Sequence, residues 1–441
     1  MTDLYVSTQG NDSSTGRSDD PLRTIAQAVL RQQNGQSIII DDGAYEEESP
    51  ILIQGITQGR LRALNKGLVD LHVPAISLSG TGIITLDQCN NYVVDGIHIV
   101  PPETFSVPSG TWSDPTNASL IRVVEGTGNL ITDMKFESWA IDGRLVHTTI
   151  HPVSSVNSDY LRINRCEVLG VDASFTVSDN VLTSGGLIYG ISVVNPKSCM
   201  ISDCKVRGLN AVNANIGGIF TTMTDADVRS RFFVDRCLVE DLLTTGETGE
   251  PQNHVIGIGT MGSLGEMLLT IRKSRVHALG AVHAEPEKDT NNSIGCVAWG
   301  CKTSVVQNVL VYNAGVGLSA VLVGLDSVWE GITTDTVTQS IAVSPVGDDP
   351  LKVRVRNLSM SNVLEDGIVT SGRAFVDIDF LNTYKVQGQP FRHLDGGPFQ
   401  AHITLPTHWT EANPRYVSPD NTDRNFELEY ISPLINRGGE V

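Results

Sequence analysis

Residues Tyr189–Asn210, YGISVVNPKSCMISDCKVRGLN, form a unit of two short strands and a corner that much of the chain repeats. Ile191 and Val193 alternate with polar neighbours, and Asn195-Pro196 then turns the chain. Period-two alternation interrupted by Asn, Pro and Gly is typical of β-strands joined by turns. The second half of the unit recurs at residues 93–99, 130–136, 161–168, 232–239, 269–276, 305–311 and 353–360.

One inward-facing position of the unit gives the length of the repeat. Alignment of this position yields the column Ile97, Met134, Cys166, Cys204, Cys237, Ser274, Val309 and Leu358. Neighbours in the column are about 32 to 38 residues apart, except for a last step of about 49, and periods of about 20–50 residues indicate stacked repeats. Since each unit has too few apolar residues for its own core, equivalent side chains must stack on one another.

The repeat predicts an all-β protein, a right-handed parallel β-helix solenoid. The units are rich in Val, Ile, Thr and Phe and contain no amphipathic stretch long enough for a helix pair. A β-propeller has similar periods but needs regular tight hairpins, whereas Asp95-Gly96 and Asp366-Gly367 are isolated turn signals. We predict an N-terminal strand and capping helix at 1–36, the β-helix at 37–383 and a closing segment at 384–441.

Composition narrows the classes of partner. The formal net charge of −19 argues against nucleic acid, because phosphate binding needs clustered Lys and Arg. No apolar run is long enough for a membrane helix, so no membrane insertion is predicted, and the N-terminus MTDLYVSTQGND has no signal-peptide pattern. Of the seven cysteines, Cys166, Cys204 and Cys237 fall in the inward column, which predicts reduced thiols in the core.

Both ends of the chain resemble those of a known superfamily. Residues 5–29, YVSTQGNDSSTGRSDDPLRTIAQAV, and residues 413–439, NPRYVSPDNTDRNFELEYISPLINRGG, are similar to the opening and closing segments of pectate-lyase-like right-handed β-helix proteins. That superfamily includes phage tail spikes and secreted polysaccharide-degrading enzymes. The resemblance implies the fold for nearly the whole chain, but the fold hosts lyases, hydrolases and non-catalytic adhesins, so it does not fix an activity.

Loops of varying length are expected to leave one corner of successive coils and to carry the function. We expect them at residues 101–119, 139–159, 171–186, 210–215, 240–254 and 279–293. The short loop 210–215, NAVNAN, lies between long ones and predicts a notch for an oligosaccharide, with Asn210, Asn213 and Asn215 as hydrogen-bonding groups. Trp112 is a candidate for stacking on a sugar, as is Trp139, and the alternative for both is an aromatic side chain packed under a loop. The alternative is a tight corner whose amides satisfy the local backbone.

The polar turn Thr224–Arg231, TDADVRSR, supplies the candidate catalytic residues Asp225, Asp227 and Arg229, with His254 on the next coil. They could act as acid, base or cation ligand if the corners converge. The alternative is a solvated corner with local ion pairs. No cofactor and no metal-ligating residue is predicted, with Ca²⁺ the one cation that such carboxylates would suit.

The function predicted from these features is a carbohydrate-recognising virion surface protein, similar to a phage tail spike, with or without depolymerase activity. Its partners would be a polysaccharide and other virion proteins, and it would be located in the virion after assembly in the host cytoplasm. The resemblance also implies a homotrimer, to which the apolar strip Val316–Val328 adds support. The alternative is an exported, secreted bacterial polysaccharide lyase or glycoside hydrolase.

Overall fold

The structure is a computed structural model. It describes residues 2–72, 82–101, 116–145, 148–175, 186–224, 229–246, 253–262, 265–283, 292–321, 327–345, 350–395, 402–406, 408–413, 416–418 and 425–428.

Strands dominate the described chain, which has one short helix, α1 (Ile25–Arg31). The strands are, in order, β1 (Leu4–Val6), β2 (Ser37–Ile40), β3 (Gly43–Glu46), β4 (Ile51–Gln54), β5 (Arg60–Ala63), β6 (Val69–His72), β7 (Gly82–Asp87), β8 (Val93–Asp95), β9 (Ile97–Val100), β10 (Thr116–Val124), β11 (Leu130–Thr132), β12 (Lys135–Phe136), β13 (Trp139–Leu145), β14 (Thr148–Val156), β15 (Leu161–Asn164), β16 (Glu167–Phe175), β17 (Gly186–Val194), β18 (Ser198–Ser202), β19 (Lys205–Val212), β20 (Ala214–Met223), β21 (Ser230–Asp235), β22 (Leu238–Gly246), β23 (Val255–Gly262), β24 (Gly265–Arg272), β25 (Arg275–His283), β26 (Ser293–Trp299), β27 (Cys301–Val321), β28 (Ser327–Ser344), β29 (Leu351–Ser361), β30 (Ile368–Thr370), β31 (Ala374–Ile378), β32 (Phe380–Tyr384), β33 (Phe391–His393), β34 (Ile403–Thr404), β35 (His408–Glu411), β36 (Tyr416–Ser418) and β37 (Asn425–Leu428).

The strands stack in parallel as the three faces of a right-handed β-helix, which confirms the predicted fold. Each coil passes through face 1, face 2 and face 3 in that order; β18, β19 and β20 form one such coil and pair with β21, β22 and β23 of the next. The long strands β27 and β28 run through all three faces. Right-handed winding is what a parallel crossover between right-twisted strands favours.

The corner between face 1 and face 2 is built from one residue with positive φ followed by one buried residue. Asp203 has φ of 55° and Arg236 has φ of 52°, and each precedes a cysteine of the inward column. A residue in the left-handed region turns the strand sharply within one position. All eight column residues predicted from the repeat are buried, so the predicted inward column is confirmed.

The long last step of about 49 residues in the predicted column contains one additional coil that the alignment missed. Ile332 is fully buried and pairs with Val309 on one side and Leu358 on the other. Ile332 is 23 positions after Val309 and 26 positions before Leu358, and Leu381 follows Leu358 by 23 positions again. The coils become shorter because Asn313 and Thr336, both with positive φ, lead straight into face 3 without an intervening loop.

The thiols form a vertical stack inside the solenoid. All seven cysteines are buried and free of disulfides, as predicted for Cys166, Cys204 and Cys237. The Cys204 thiol lies 3.3 Å from the carbonyl oxygen of Ser202 and accepts the backbone N–H of Cys166 at 3.4 Å. Burial raises the pKa of the Cys204 thiol well above its ordinary value, so this thiol stays protonated.

Helix α1 closes the N-terminal end of the stack. Thr24 caps it by accepting the N–H of Gln27 at 3.2 Å. The buried carboxylate of Glu47 accepts the N–H groups of Ile25 at 2.6 Å and Ala26 at 3.1 Å, which ties the first turn of the helix to the first coil. Terminal caps of this kind shield an otherwise open end of a solenoid.

The parallel stacking extends beyond the predicted span of 37–383. It begins with β1, which pairs with β2, and continues to β35, which pairs with β32. Strands β36 and β37 then form an antiparallel pair. In the strip Val316–Val328, Leu318 and Ala320 are core residues of β27, and residues 322–326 lie outside the described residues. In the described chain, no helix has the length and apolarity needed to cross a membrane.

Ion pairs of alternating sign run along the corner between face 1 and face 2. Arg165 binds the carboxylate of Asp133 through two nitrogens at 2.6 and 2.7 Å, and Lys66 binds it at 2.6 Å. These cations, Arg165 first, hold the pKa of Asp133 below its ordinary value. A carboxyl group whose pKa is lower in the folded state stabilises the fold at pH values above its ordinary pKa. This stabilisation is lost as the pH falls through the folded-state pKa.

The variant Asp133→Asn should therefore lower the free energy of unfolding at pH 7 by roughly 1 kcal/mol, because these pairs are partly exposed. Its difference from the parent protein should shrink as pH falls below about 4. Urea denaturation at several pH values measures both effects. Asp19→Asn is the control, since Asp19 pairs only loosely with Arg17 at 3.7 Å and both side chains are exposed. An equal loss of stability at pH 2.5 and pH 7 would contradict the ion-pair explanation.

Candidate functional site

A column of glycines pinches the solenoid between faces 2 and 3. A Cβ placed on Gly190 would lie 2.4 Å from Cγ1 of Val206, and one on Gly218 would lie 2.4 Å from Cγ1 of Val239. The same clash recurs with a Cβ on Gly257. Only glycine lets the two faces approach this closely, because real Cβ contacts under 3.0 Å essentially do not occur.

The outer side of this pinch is concave. In β20, Gly218 and Ile219 both point inward, so the strand bends away from regular alternation and its outer surface folds in on itself. Outward-facing residues on both sides of the bend are therefore buried, whereas a convex face would expose them. The buried outward-facing residues are Ser119, His151, Ser154, Ser192, Phe220 and Val297. We call this concavity the elbow groove. It follows the solenoid axis across β10, β14, β17, β20, β23, β26 and β27, which is about 29 Å at the usual strand spacing.

An aromatic row lies in the middle of the elbow groove. The ring of Tyr189 stacks on that of Phe220 in the next coil with centroids 5.1 Å apart, and on His151 in the preceding coil at 5.6 Å. Gly217 makes room for this row, because a Cβ there would lie 2.5 Å from the Tyr189 ring. Burial raises the pKa of Tyr189 to about 12, so its hydroxyl stays neutral. The three rings therefore stack face to face along the solenoid axis.

The end of the elbow groove nearest the N-terminal cap is polar. The hydroxyls of Ser119 and Ser154 lie 2.8 Å apart, and the half-buried Arg122 lies beside Ser154 in the register. Burial, with a smaller effect of Arg122, lowers the pKa of His151 to about 3, so this ring is neutral at physiological pH. Its Nε2 lies 3.3 Å from Oδ1 of Asn117, while its buried Nδ1 has no hydrogen-bond partner. A buried acceptor nitrogen in this state suits a bound water.

The wall of the elbow groove formed by the end of each face 3 strand is apolar. Val124, Val156 and Val194 occupy one register position, followed by Thr222 and Met261. Trp299 comes next, beside Met261, and these two side chains are 37% and 38% exposed. An exposed indole at the rim of a concavity can lie against the apolar C–H face of a sugar ring while its N–H remains available as a donor.

Two residues predicted from sequence lie on the opposite wall. Asn215 follows Leu187 in the register, and His254 lies beside Asn215 on the next coil. The Oδ1 of Asn215 accepts the backbone N–H of His254 at 2.8 Å, and this hydrogen bond joins the two neighbouring coils at this wall. His254 is exposed at the rim, and partial desolvation lowers the pKa of its ring.

The other predicted residues of the notch lie elsewhere. Asn213 is the predicted tight corner, with φ of 59°; it is buried, and its amide donates to the carbonyl oxygen of Phe175 at 3.2 Å. Asn210 belongs to β19 rather than to a loop, and its amide donates to Asp172 at 2.9 Å on face 2. For these amides, the alternative of local hydrogen bonding agrees with the geometry. Their role in substrate binding stays a prediction.

Several predicted residues lie outside the described chain. Asp225, Asp227 and Trp112 are among them. Arg229 is described and is exposed. Trp139 is buried in β13, which agrees with the alternative of packing and not with stacking on a sugar. The loop predicted at 139–159 is also wrong, because β13 and β14 occupy most of it; its alternating apolar residues, such as Ile150, are the signal that was missed.

Within the described residues, no group of three or more His, Cys, Asp or Glu side chains is arranged to hold a metal ion. The described residues that line the floor of the elbow groove carry no carboxylate. Their hydrogen-bonding groups are hydroxyls, amides, imidazoles and one guanidinium. This set suits binding of a hydroxyl-rich ligand better than acid–base cleavage.

Comparisons with known proteins identify the family. A family model described as "Protein of unknown function (DUF1565)" matches residues 8–271. The chain belongs to the DUF1565 family. The matched span contains the cap and the strands of the elbow groove from β10 to β23, whereas Trp299 lies beyond it. A search of curated proteins finds no match.

Three solved structures illustrate what this DUF1565 protein is similar to. The catalytic domain of GH87 α-1,3-glucanase in complex with nigerose has a TM-score of 0.54 at 12% identity, with 93% of this chain and 68% of that chain covered. A rhamnogalacturonan lyase has a TM-score of 0.47 at 11% identity, covering 98% and 96% of the two chains. The polygalacturonase from Erwinia carotovora ssp. carotovora has 0.42 at 9% identity, covering 93% and 96%.

Proposed function

We propose that this protein binds a polysaccharide chain along the elbow groove. The observation that carries the proposal is the groove itself: a concavity about 29 Å long whose walls combine neutral hydrogen-bonding groups with exposed apolar surface. A sugar chain needs both, because each ring has hydroxyl edges and apolar C–H faces.

The position of each group supports this reading. At one end the lining is polar, with the hydrogen-bonded hydroxyls of Ser119 and Ser154 beside the half-buried Arg122, whose guanidinium can donate to sugar hydroxyls. Trp299 and Met261 present apolar surface on the wall further along the axis. The similar glucanase structure contains nigerose, a saccharide. As part of the proposal, we extend saccharide binding from that protein to this one.

The finer functional assignments stay predictions. They comprise a tail-spike-like virion surface protein, its depolymerase activity, its homotrimeric state, its virion partners and the alternative of a secreted lyase or hydrolase. Polysaccharide recognition is the component of them that the elbow groove supports. Catalysis would draw on residues such as Asp225 and Asp227, which lie outside the described chain.

The variant Trp299→Ala should weaken polysaccharide binding by about tenfold, because it removes the exposed stacking surface of the groove wall. Affinity electrophoresis against a panel of neutral and acidic polysaccharides, followed by calorimetry on those that retard the protein, measures the loss. Trp409→Ala is the matched control, since Trp409 is 41% exposed but lies on face 2.

Three outcomes would contradict the proposal. The protein could show no retardation in any gel of the panel. Trp299→Ala could bind as tightly as the parent protein while its unfolding midpoint is unchanged. Trp409→Ala could cause an equal loss, which would place the binding surface outside the elbow groove.

A further inference from the structure

The lining of the elbow groove changes character along the axis. On the floor of the groove, the outward residues of β10, β14 and β17 are polar, with Ser119, Arg122, His151, Ser154 and Ser192, while Val124, Val156 and Val194 form the wall there. In β23, β26 and β27 the corresponding positions are Ile256, Ile294, Val297 and Val316, with Gly259 and Ser319 between them. The aromatic row of Tyr189 and Phe220 separates the two halves.

Apolar surface in the second half is open to solvent. Met261 and Trp299 are more than one third exposed on one wall, and Ile256 and Ile294 are half-buried on the other side of the bend. Soluble proteins seldom leave facing apolar walls in a concavity unless a ligand covers them. The described outward side chains of this half carry no charge apart from His254 at its edge.

A sugar unit bearing only hydroxyls fits this half poorly. Its hydroxyl groups would leave water without finding acceptors on Ile256, Ile294 or Val297, and unpaired polar groups in a desolvated site oppose binding. A charged sugar would lose its hydration with no described countercharge in this half. Methyl groups lose nothing by leaving water and gain contact with these walls.

We propose that the elbow groove recognises saccharide chains whose units carry methyl-bearing substituents, such as acetyl groups, over the apolar half. This inference rests on the proposed function and adds the class of ligand. The polar half then takes unsubstituted hydroxyls. The two halves together bind a chain in one orientation. Its substituted units must lie over β23–β27 and its unsubstituted units over β10–β17.

Matched pairs of neutral polysaccharides test the inference. Acetylated xylan and acetylated glucomannan are each compared with the same material after removal of the acetyl groups by mild alkali. The full-length protein should bind at least one acetylated chain at least about fourfold more tightly than its deacetylated partner, which is the factor for burying a single methyl group. Affinity electrophoresis and calorimetry give the ratio.

Variants connect this ratio to the apolar half. Ile256→Asn and Ile294→Thr should reduce the preference for the acetylated chain, because they place hydrogen-bonding groups where methyl groups would bind. Ser192→Ala should weaken both chains by the same factor and leave the ratio unchanged. Leu268→Ala is a control, since Leu268 is equally exposed as Met261 but lies on face 1.

The outcomes separate this inference from the proposed function. Equal binding of acetylated and deacetylated chains, weakened by Trp299→Ala, would keep the proposed function and overturn the inference. A preference that Ile256→Asn and Ile294→Thr leave unchanged would also overturn it. Binding to neither xylan nor glucomannan in any form would overturn the inference, whereas the proposed function fails only if no polysaccharide of the wider panel retards the protein.

Discussion

Gly190→Ala should destabilise the fold by about 3 kcal/mol, the upper end of the usual cost of overpacking. The added Cβ would lie 2.4 Å from Cγ1 of Val206 and 2.8 Å from the carbonyl oxygen of Gly218. The oxygen belongs to the backbone of the next coil, so it can move only if the stacking of the two coils moves with it. Urea denaturation followed by circular dichroism measures the loss.

A second variant and a control isolate the cause. Gly190→Ala combined with Val206→Ala should recover part of the stability, because the closest contact is removed while the backbone contact remains. Gly280→Ala should be neutral or slightly stabilising, since a Cβ there meets only the exposed side chain of Leu243 at 2.9 Å. If Gly190→Ala and Gly280→Ala behave alike, the glycine column does not pinch the solenoid as described.

Cys204→Asp should be the most damaging of three substitutions in the thiol stack. Cys204 is fully buried, and its neighbours along the axis are Cys166 and Cys237. A carboxylate here would be an uncompensated buried charge, with a cost of about 3–5 kcal/mol. Cys204→Ser should be well tolerated, because Ser274 already occupies this register position, accepts the N–H of Cys237 at 3.2 Å and donates to the carbonyl oxygen of Arg272 at 2.8 Å.

Cys204→Val should lie between the two. Valine is one heavy atom larger than cysteine and already occurs in this register column as the buried Val309, but it removes the sulfur that accepts the N–H of Cys166. Unfolding midpoints in urea rank the three variants. Reaction of the native parent protein with a thiol reagent is the companion measurement, and fast modification of Cys166, Cys204 and Cys237 would contradict the buried stack. So would equal stability of Cys204→Asp and Cys204→Ser.

The fold could be predicted because the repeat imposes the same burial on every coil. The inward column was readable in sequence, since Ile97, Met134 and Cys166 each follow a strand with period-two alternation. Ile332 was missed because the coils shorten at that point, and a constant period does not fall on it. The run VWEGITTD holds the missed signal: Gly331 with positive φ, directly followed by an apolar residue.

The elbow groove was harder to predict, because it depends on a break in the alternation. Two consecutive inward residues, such as Gly218 and Ile219, read in sequence as an irregular strand and not as a bend. The available signal was the glycine that recurs at one register position, as in Gly190, Gly218, Gly257 and Gly295. The tight corner at Asn213 could be predicted, but the sequence did not show that the amide of Asn213 points to the backbone of Phe175.

The shortening of the coils towards the C-terminal end has a consequence for how the chain folds. Closing a coil of 38 residues, as from Cys166 to Cys204, costs about 0.4 kcal/mol more entropy than closing one of 23, as from Val309 to Ile332. We therefore expect nucleation at the compact turns around β27 and β28, with the wider coils adding towards the N-terminus. Pulsed amide exchange should show protection of residues 305–321 before residues 186–194, and the reverse order would exclude this pathway. In that sequence of events the narrow coils act as an internal template, and the elbow groove grows from its last strand, β27, towards its first, β10.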